Sequence, residues 1–390
     1  MNQPYTSRVD AERVHPVLAV TMGDMNGIGP EVILKVLSGM LQYKLNYGIL
    51  LFASDQVMCH YAELSNISVC WESHIMGKGA ESEFLRNRFI EKNLNFSAPD
   101  THISIDESRE IMSRMSMPIP GPGQVLLVNV GDPNEKIRPG MVSSEAGKLA
   151  MHAVFTAVAA CVAGMADAMI TAPISKKAIH EAGHRVPGHT EYLSQLTSTN
   201  DVGMMLVNDT MRIGLATIHL PLRDVSGALT SLLIKKKIML YHRELIKRFG
   251  ITQPKIAVLG LNPHAGDGGI LGSEEIEMIE PAIRELKQQG LDIEGPWPAD
   301  GFFGNQNHLK VDLVFAMYHD QGLIPLKYSG FENGVNITIG LPFVRTSPDH
   351  GTAFAIAGAN RADPGSMRSA TQLALTMVQN QTKLGETRNM

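Results

Sequence analysis

Three histidines follow short apolar segments that have the composition of β-strands. The segment and histidine pairs are 213–218 with His219, 256–261 with His264, and 313–317 with His319. Ligands of open α/β sheets bind beyond the carboxyl ends of the strands, so we expect these imidazoles at one sheet edge. Imidazole nitrogens suit zinc, cobalt, nickel or manganese. The pattern therefore predicts a divalent metal site assembled from distant parts of the chain.

Two aspartates lie in similar loops and offer carboxylate chemistry beside the histidines. Asp300 stands in a Pro-Ala-Asp-Gly sequence, and Asp320 directly follows His319. Each could be a further metal ligand, a partner that orients a histidine, or an acceptor for a substrate proton. The sequence leaves these three roles open, and a simple loop-capping role remains possible for each.

Residues suited to an anion occur in one late segment and in one earlier block. Lys327, Asn336 and Arg345 follow His319, and they could hold a phosphate or carboxylate through charge-assisted hydrogen bonds. His189 and Thr190 lie in a Gly-His-Thr-Glu block that has the same polar character. The substrate is therefore expected to carry a negative group.

Strand patterns alternate with helical ones along the chain. Further strands are predicted at 16–22 and 168–170, and helices at 31–40, 145–164, 229–249 and 274–289. This alternation predicts an α/β fold with a mainly parallel sheet. The stretch 117–140 contains five prolines with glycines between them, and it is predicted to be an extended loop or arm.

Composition excludes several classes of protein. The 390 residues carry 34 basic and 39 acidic side chains, a net charge of −5, which argues against a nucleic-acid-binding surface. Three cysteines without a Cys-x-x-Cys pair argue against a disulfide scaffold or a cysteine-only zinc site. Residues 1–16 lack an apolar core, and the apolar segment 153–166 is predicted to be a buried helix. A cytoplasmic enzyme that acts on neither membranes nor nucleic acids is expected.

Known phosphate and nucleophile motifs are missing from the sequence. There is neither a Gly-x-Gly-x-x-Gly fingerprint nor a Walker A loop, and the segment Gly27-Ile28-Gly29-Pro30-Glu31 is too short for the former. Gly-x-Ser-x-Gly is also absent, which disfavours a serine hydrolase. A Rossmann-type cofactor site is therefore not predicted.

The chain resembles the 4-hydroxythreonine-4-phosphate dehydrogenases of pyridoxal 5′-phosphate biosynthesis. The resemblance rests on six blocks between residues 17 and 375: Gly27-Ile28-Gly29-Pro30-Glu31, Gly188-His189-Thr190-Glu191, the block from His219 to Asp224, the block from Gly260 to Gly266, the block from Met317 to Gly322 and the block from Gly334 to Phe343. The first loop reads Gly-Asp-Met-Asn-Gly where the family usually has Gly-Asp-Pro-Ala-Gly, and Thr171-Ala172-Pro173 replaces a usual Thr-Gly-Pro.

The resemblance implies a two-domain, isocitrate/isopropylmalate-dehydrogenase-like α/β/α fold with an interdomain active site, in a homodimer. The predicted domains are 1–185 plus 346–390 on the cofactor side, and 186–345 for metal, substrate and dimerisation. The implied metal ligands match His219, His264 and His319, and Asp300 and Asp320 match acids near the metal. The implied substrate contacts match His189, Thr190, Lys327, Asn336 and Arg345.

The resemblance also implies cofactors and a reaction. A loop with His350, Gly351, Thr352, Ala353 and Asp363 looks like the adenosine-binding loop of decarboxylating dehydrogenases, which use NAD or NADP without a Rossmann motif. One divalent ion (Zn, Co, Mn or Mg) is implied as well. The expected reaction is oxidation with decarboxylation of 4-phosphooxy-threonine to 3-amino-2-oxopropyl phosphate. The alternative is dehydrogenation of 4-phospho-D-threonate or 4-phospho-D-erythronate in sugar-acid catabolism.

Two hypotheses from other classes remain at this stage. A metal-dependent binding protein would hold a phosphorylated acid tightly and reduce no NAD(P)⁺. A metal hydrolase would release free phosphate without a cofactor.

Overall fold

The computed structural model describes residues 15–40, 42–75, 102–131, 135–186, 188–330 and 332–388 of the chain. It divides into two compact units. Unit 1 comprises Met1–Asn200 and Leu341–Val378, and unit 2 comprises Asp201–Gly340 and Gln379–Met390. Each unit is built on its own run of β-strands.

Six strands form the sheet of unit 1. They are β1 Val17–Thr21, β2 Gly48–Ala53, β3 Glu72–Ile75, β4 Val125–Asn129, β5 Ala168–Thr171 and β12 Val344–Pro348. Their order is β3-β4-β2-β1-β5-β12, and every pair of neighbours is parallel. β1, β2, β5 and β12 are buried along their whole length, as expected of parallel strands covered on both faces.

The helices of the first 200 residues pack around this sheet. They are α1 Gly29–Met40, α2 Asp55–Ser65, α3 Ile105–Met115, α4 Ser144–Val162, α5 Lys176–Glu181 and α6 His189–Leu196. Serines at positions 54, 104, 143 and 175 precede α2, α3, α4 and α5, and each accepts a hydrogen bond from a first-turn amide. These caps explain where the four helices begin.

α4 is the central helix of unit 1. It is rich in alanine, contacts β1, β2 and β5, and buries almost every residue after Glu145 except the exposed Lys148. Among the described residues it is also the one helix that is long and apolar enough to cross a membrane, and 89% of its most apolar window is buried. Packing in the core therefore accounts for its apolar composition.

Six more strands form the sheet of unit 2. They are β6 Gly203–Val207, β7 Arg212–Leu215, β8 Lys255–Leu259, β9 Asp292–Trp297, β10 Leu313–Ala316 and β11 Val335–Ile339. Their order is β11-β6-β7-β10-β8-β9. The four strands from β7 to β9 are parallel neighbours, while β6 pairs antiparallel with both β7 and β11.

Five α-helices lie between β7 and β11 in the described part of unit 2. They are α7 Leu222–Ala228, α8 Ser231–Phe249, α9 Glu280–Gln288, α10 Ala299–Gly304 and α11 His319–Ser329. A π-helical turn, Glu275–Ile279, leads into α9. The last helix of the chain is α12 Gly365–Arg388. α8 ends at Gly250, which has a φ of 70° and caps the helix in the left-handed conformation.

The predicted α/β class with a mainly parallel sheet is confirmed. The predicted strands and helices occur close to their expected bounds, although the helix expected at 274–289 starts with a π-helical turn. The prediction that 117–140 is an extended loop was wrong, because β4 lies inside it. Prolines and glycines on both sides hid this short strand, whose first four residues are buried in the sheet.

The domain division predicted from the sequence stays a prediction. It assigns residues 186–200 and 341–345 to the second domain and 379–390 to the first, whereas 186–200 and 341–345 belong to compact unit 1 and 379–390 to unit 2. His189, Thr190 and Arg345 therefore lie together on unit 1, although the prediction placed all three on the metal and substrate domain.

Candidate active site

The three candidate metal-binding histidines follow three adjacent strands of unit 2. His219 comes after β7, His319 begins α11 directly after β10, and His264 comes after β8. Since β7, β10 and β8 are parallel neighbours, their carboxyl ends lie side by side, as the sequence predicted. The rings of His219 and His319 have centroids 5.9 Å apart.

A cavity of about 310 Å³ lies beside these two rings. Its lining residues are Thr217, Ile218, His219, Leu220, Leu222, Val225, Tyr318, His319 and Asp320. Across the described part of the chain, no three His, Cys, Asp or Glu side chains are grouped so as to hold a metal ion. The donor set thus suits a divalent ion in kind and in strand position, but the side chains as placed do not form a three-ligand centre.

His319 is paired with the aspartate that follows it. The Nδ1 atom of His319 lies 2.7 Å from Oδ1 of the exposed Asp320. In the tautomer that carries its proton on Nδ1, the imidazole donates to this carboxylate and leaves Nε2 free to bind a ligand. Of the roles left open for Asp320, this contact favours the orientation of a histidine.

The loop that carries His264 has an unusual backbone. His264, Ala265 and Asp267 have φ values of 53°, 50° and 42°, in the left-handed region that non-glycine residues rarely adopt. Gly266 also has a positive φ, and a Cβ there would lie 2.7 Å from Oε2 of Glu275. The surrounding contacts must therefore hold this loop in shape.

Glu275 supplies most of that support. It is 1% exposed, and its Oε1 accepts from the amides of Leu261 and Asn262 at 2.7 and 2.8 Å. Its Oε2 accepts from Nδ2 of Asn262 at 2.9 Å. Glu275 does not stand out in the sequence, because an acid in the first turn of a helix already has a simple explanation in the helix dipole.

Two more side chains tie the histidine loops together. Gln321 donates from Nε2 to the carbonyl of Gly260 at 2.6 Å and accepts from the Met317 amide at 2.7 Å. Glu274 accepts from Ser226 on α7 and from Asn262, each at 2.8 Å. The loops after β7, β8 and β10 thus form one hydrogen-bonded framework.

Asp300, Lys327 and Asn336 also lie on unit 2. Asp300 is exposed at the start of α10, which follows β9 and contacts the segment 263–269. Lys327 is half-buried on α11, the helix that begins with His319. Asn336 is half-buried on β11, and its Oδ1 is enclosed without a hydrogen-bond donor among the described residues.

The other candidate anion contacts lie on unit 1 and are largely buried. Arg345 on β12 is 2% exposed and donates from Nη2 to Oγ1 of Thr171 on β5 at 2.7 Å. His189 and Thr190 begin α6, and Nε2 of His189 is enclosed without a partner in the described segments. The structure therefore brings together three of the five predicted substrate contacts on one unit.

The protonation states of this group suit an anion. Desolvation lowers the pKa of Arg345 to about 9, while the nearby Glu191 carboxylate opposes the shift, so the guanidinium stays charged at neutral pH. Burial, reinforced by the positive charge of Arg345, holds the pKa of His189 well below its usual value. A buried cation beside a neutral imidazole can hold a phosphate or carboxylate through charge-assisted hydrogen bonds.

The candidate cofactor loop, residues 349–364, leaves β12 directly. Gly351, Ala353 and Asp363 are exposed, and no atom lies within 4 Å of the place that a Cβ on Gly351 would take. Nε2 of His350 is enclosed without a partner among the described residues. Open space over small residues, an unsatisfied imidazole and an exposed carboxylate fit a nucleoside, with its flat base and its ribose hydroxyls.

Comparisons with known proteins identify the family of the chain. A family model for pyridoxal phosphate biosynthetic protein PdxA matches residues 70–374. The 4-hydroxythreonine-4-phosphate dehydrogenase of Chromobacterium violaceum is 38% identical over 359 residues, which cover 92% of this chain and 96% of that protein. The D-threonate 4-phosphate dehydrogenase of Pectobacterium atrosepticum is 39% identical over 362 residues, with 93% and 99% covered.

A solved structure extends the agreement to the fold. The 4-hydroxythreonine-4-phosphate dehydrogenase from Klebsiella pneumoniae superimposes with a TM-score of 0.74 at 35% identity, covering 95% of this chain and all of that one. The fold and the relatives define an α/β enzyme of the dehydrogenase class. The chain belongs to the family of the pyridoxal phosphate biosynthetic protein PdxA. The resemblance inferred from the sequence and the prediction of an oxidoreductase are confirmed.

Proposed function

We propose that the protein oxidises and decarboxylates 4-phosphooxy-threonine (4-hydroxythreonine 4-phosphate) with NAD(P)⁺, giving 3-amino-2-oxopropyl phosphate for pyridoxal 5′-phosphate biosynthesis. The observation that carries the proposal is the position of β12 between the candidate anion site and the candidate cofactor loop. This strand holds the buried cation Arg345 and leads directly into the loop that fits a nucleoside. A phosphate contact and a cofactor contact are thus provided by consecutive parts of one element.

In the proposed reaction, Arg345, His189 and Thr190 hold the substrate phosphate, with Lys327 and Asn336 as further contacts. The neutral state of His189 lets its ring donate one hydrogen bond without adding a second buried charge beside Arg345. His350, Gly351, Thr352, Ala353 and Asp363 would hold the adenosine half of NAD(P)⁺. The nicotinamide half of the bound cofactor would supply the hydride acceptor.

The remaining steps are the removal of the hydroxyl proton and the loss of carbon dioxide from the substrate. Asp300 or Asp320 would accept the proton of the secondary hydroxyl as the carbinol carbon is oxidised to a ketone. The new ketone lies β to the carboxylate, so the C–C bond electrons move into the carbonyl as CO₂ leaves. The resulting enolate takes up a proton at carbon to give the amino-ketone phosphate.

We also propose His219, His264 and His319 as ligands of one divalent ion, with zinc, cobalt, manganese and magnesium as candidates. Their positions after three adjacent parallel strands support this assignment. The test is metal analysis of His264→Ala against the unmodified protein. Loss of bound metal and of turnover supports the assignment, whereas full metal content with normal turnover rejects it.

A homodimer forms part of the proposal. Large apolar side chains stand exposed beside all three histidine loops: Leu222 at 72%, Ile270 at 79%, Ile324 at 66% and Tyr328 at 94%. Large apolar side chains exposed on neighbouring loops and helices are typical of interaction sites. We propose that a second copy of the chain covers these side chains.

The proposed location of the protein is the cytoplasm, since NAD(P)⁺ and phosphorylated metabolites are retained inside the cell.

The second candidate substrate is 4-phospho-D-threonate, or its erythronate isomer. It is favoured by the similarity to the Pectobacterium atrosepticum enzyme, which matches this chain as well as the 4-hydroxythreonine-4-phosphate dehydrogenases do. A single experiment decides: purified protein, NAD⁺ or NADP⁺, and each of the three phosphorylated acids, followed by absorbance of the reduced cofactor. Reduction with 4-phosphooxy-threonine supports the main proposal. Reduction with a sugar acid alone supports the alternative, and no reduction with any of them rejects both.

A further inference from the structure

The helix α1 and the residue before it hold the cofactor loop at two points. Near the start of the loop, the carbonyl of Thr352 accepts from the amide of Ile28 at 3.0 Å. Near its end, the amide of Ala362 donates to Oε1 of Glu31 at 2.8 Å. All four residues belong to unit 1. The loop is therefore fastened to the start of α1 through Thr352 and through Ala362.

Glu31 makes this contact from a fully buried position. It is 0% exposed, and its Oε1 also accepts from Nζ of Lys35, one helical turn further along, at 2.8 Å. Nζ of Lys35 donates in addition to the carbonyls of Ala362 at 2.8 Å and of Asn360 at 3.3 Å. The ammonium group thus uses its three donors on one carboxylate and two loop carbonyls.

The cofactor loop needs such external support at this point. Asn360 has a φ of 56°, in the left-handed region, and its carbonyl is one of the two that Lys35 binds. A non-glycine residue persists in that conformation only where its surroundings impose it. Glu31 and Lys35 supply charged partners at this turn.

The Gly-Ile-Gly-Pro-Glu segment also allows the close approach. A Cβ on Gly27 would lie 3.0 Å from the carbonyl oxygen of Thr352, and a Cβ on Gly29 would lie 2.3 Å from that of Met22. Glycine at both positions lets the start of α1 contact the loop and the end of β1 together. This segment is too short to be a dinucleotide fingerprint. Its Ile28 amide and Glu31 carboxylate bind the cofactor loop.

We propose that Glu31 and Lys35 are positioning residues for NAD(P)⁺: they clamp residues 360–362 in the shape that receives the adenosine half of the cofactor. The inference rests on the proposed cofactor site. It gives a role to a charged pair whose contacts are directed at the cofactor loop.

The test compares Lys35→Met with Lys35→Arg in the full-length protein. Lys35→Met removes the ammonium and keeps a side chain of similar length, whereas Lys35→Arg keeps the charge. The matched control is Arg114→Met, which breaks another i,i+4 ion pair of unit 1, with Glu110, on the exposed face of α3. Binding of NAD⁺ and NADP⁺ is measured by calorimetry, and KM and kcat are measured for cofactor and substrate.

We expect Lys35→Met to raise the Kd and the KM for NAD(P)⁺ by about tenfold, with the KM for the phosphorylated substrate within about twofold. Lys35→Arg should recover most of this loss, and Arg114→Met should bind as the unmodified protein does. Hydrogen exchange gives a readout that needs no cofactor: the amide of Ala362 should exchange faster in Lys35→Met.

Equal NAD(P)⁺ affinity in Lys35→Met and the unmodified protein would overturn the positioning role while leaving the proposed function intact. Failure of the unmodified protein to bind either cofactor would overturn the proposed function and this inference with it. A general loss of folding in Lys35→Met would appear as a lower Tm with slower turnover at saturating cofactor. That result would assign the pair a structural role and reject the proposal.

Discussion

Arg345 donates from Nη2 to Oγ1 of Thr171 at 2.7 Å, although the two residues are 174 positions apart in the sequence. They lie on the neighbouring parallel strands β12 and β5, where both side chains are buried. The hydroxyl fixes the direction of a guanidinium that has little freedom to move. A cation held in this way can receive an anion without further loss of side-chain entropy.

Replacing Thr171 with valine should weaken binding of the phosphorylated substrate. Valine has the same shape but no acceptor, so Arg345 loses its 2.7 Å hydrogen bond. We expect the KM for the phosphorylated acid to rise about tenfold, with a smaller change in the KM for NAD(P)⁺. Thr171→Ser keeps a hydroxyl and should stay within about threefold of the unmodified enzyme. An unchanged substrate KM in Thr171→Val would show that Arg345 needs no such partner.

Replacing Glu275 with glutamine should loosen the loop that carries His264. Glutamine keeps one acceptor oxygen, but its NH₂ group places a donor against either the two backbone amides or Nδ2 of Asn262. We expect a loss of about 2 kcal/mol in the free energy of unfolding, because a buried donor is left unsatisfied. Affinity for zinc, measured by calorimetry, should fall at least about tenfold. The exposed Glu277 of the same turn provides the control as Glu277→Gln, and equal effects of the two changes would contradict the assignment.

The sequence predicted the part of the site that follows from strand order. The apolar segments before His219 and His319 were enough to predict that these histidines lie close together, because the carboxyl ends of adjacent parallel strands lie side by side. It did not reveal Thr171 as a partner of Arg345, since no local pattern records which buried strands become neighbours. It also missed Glu275, whose position in a first helical turn already fits a simpler role. These contacts depend on tertiary packing and need coordinates.

Replacing Ile270 with glutamate should abolish the proposed homodimer. Ile270 is 79% exposed beside the His264 loop, and a carboxylate buried in an apolar interface lacks a partner. Light scattering after size exclusion should then give the 42.5 kDa monomer at micromolar concentration. The control is Tyr43→Glu, which changes a 75% exposed side chain of unit 1 and should leave the dimer intact. A dimer that survives Ile270→Glu would place the interface elsewhere.

Acid should destabilise the protein partly through His184. This residue is 3% exposed, and burial lowers its pKa from 6.5 to about 4. Between these pH values the unfolded chain binds a proton that the folded protein does not, so stability falls as the pH drops from 6.5 to 4. The loss is on the order of 3 kcal/mol. Urea unfolding of His184→Gln should show a flatter pH dependence across this window, whereas the exposed His180→Gln should not. Parallel pH profiles for His184→Gln and the unmodified protein would contradict the prediction.

Asp24 should have the opposite effect on the pH dependence of stability: it should lower stability as the pH rises. It is fully buried, and desolvation raises its pKa from 3.8 to about 6, although a hydrogen bond from the Asn26 amide opposes the shift. Between pH 3.8 and 6 the folded protein retains a proton that the unfolded chain has lost, so this group lowers stability as the pH rises. The full penalty, on the order of 3 kcal/mol, is present above pH 6. Asp24→Asn keeps the Oδ1 acceptor and removes the charge. Its stability relative to the unmodified protein should therefore increase from pH 4 to pH 8, measured by urea unfolding. Asp209→Asn, at an exposed position, should show no such trend. A difference between Asp24→Asn and the unmodified protein that is constant with pH would show that Asp24 is ionised in the folded protein throughout this range.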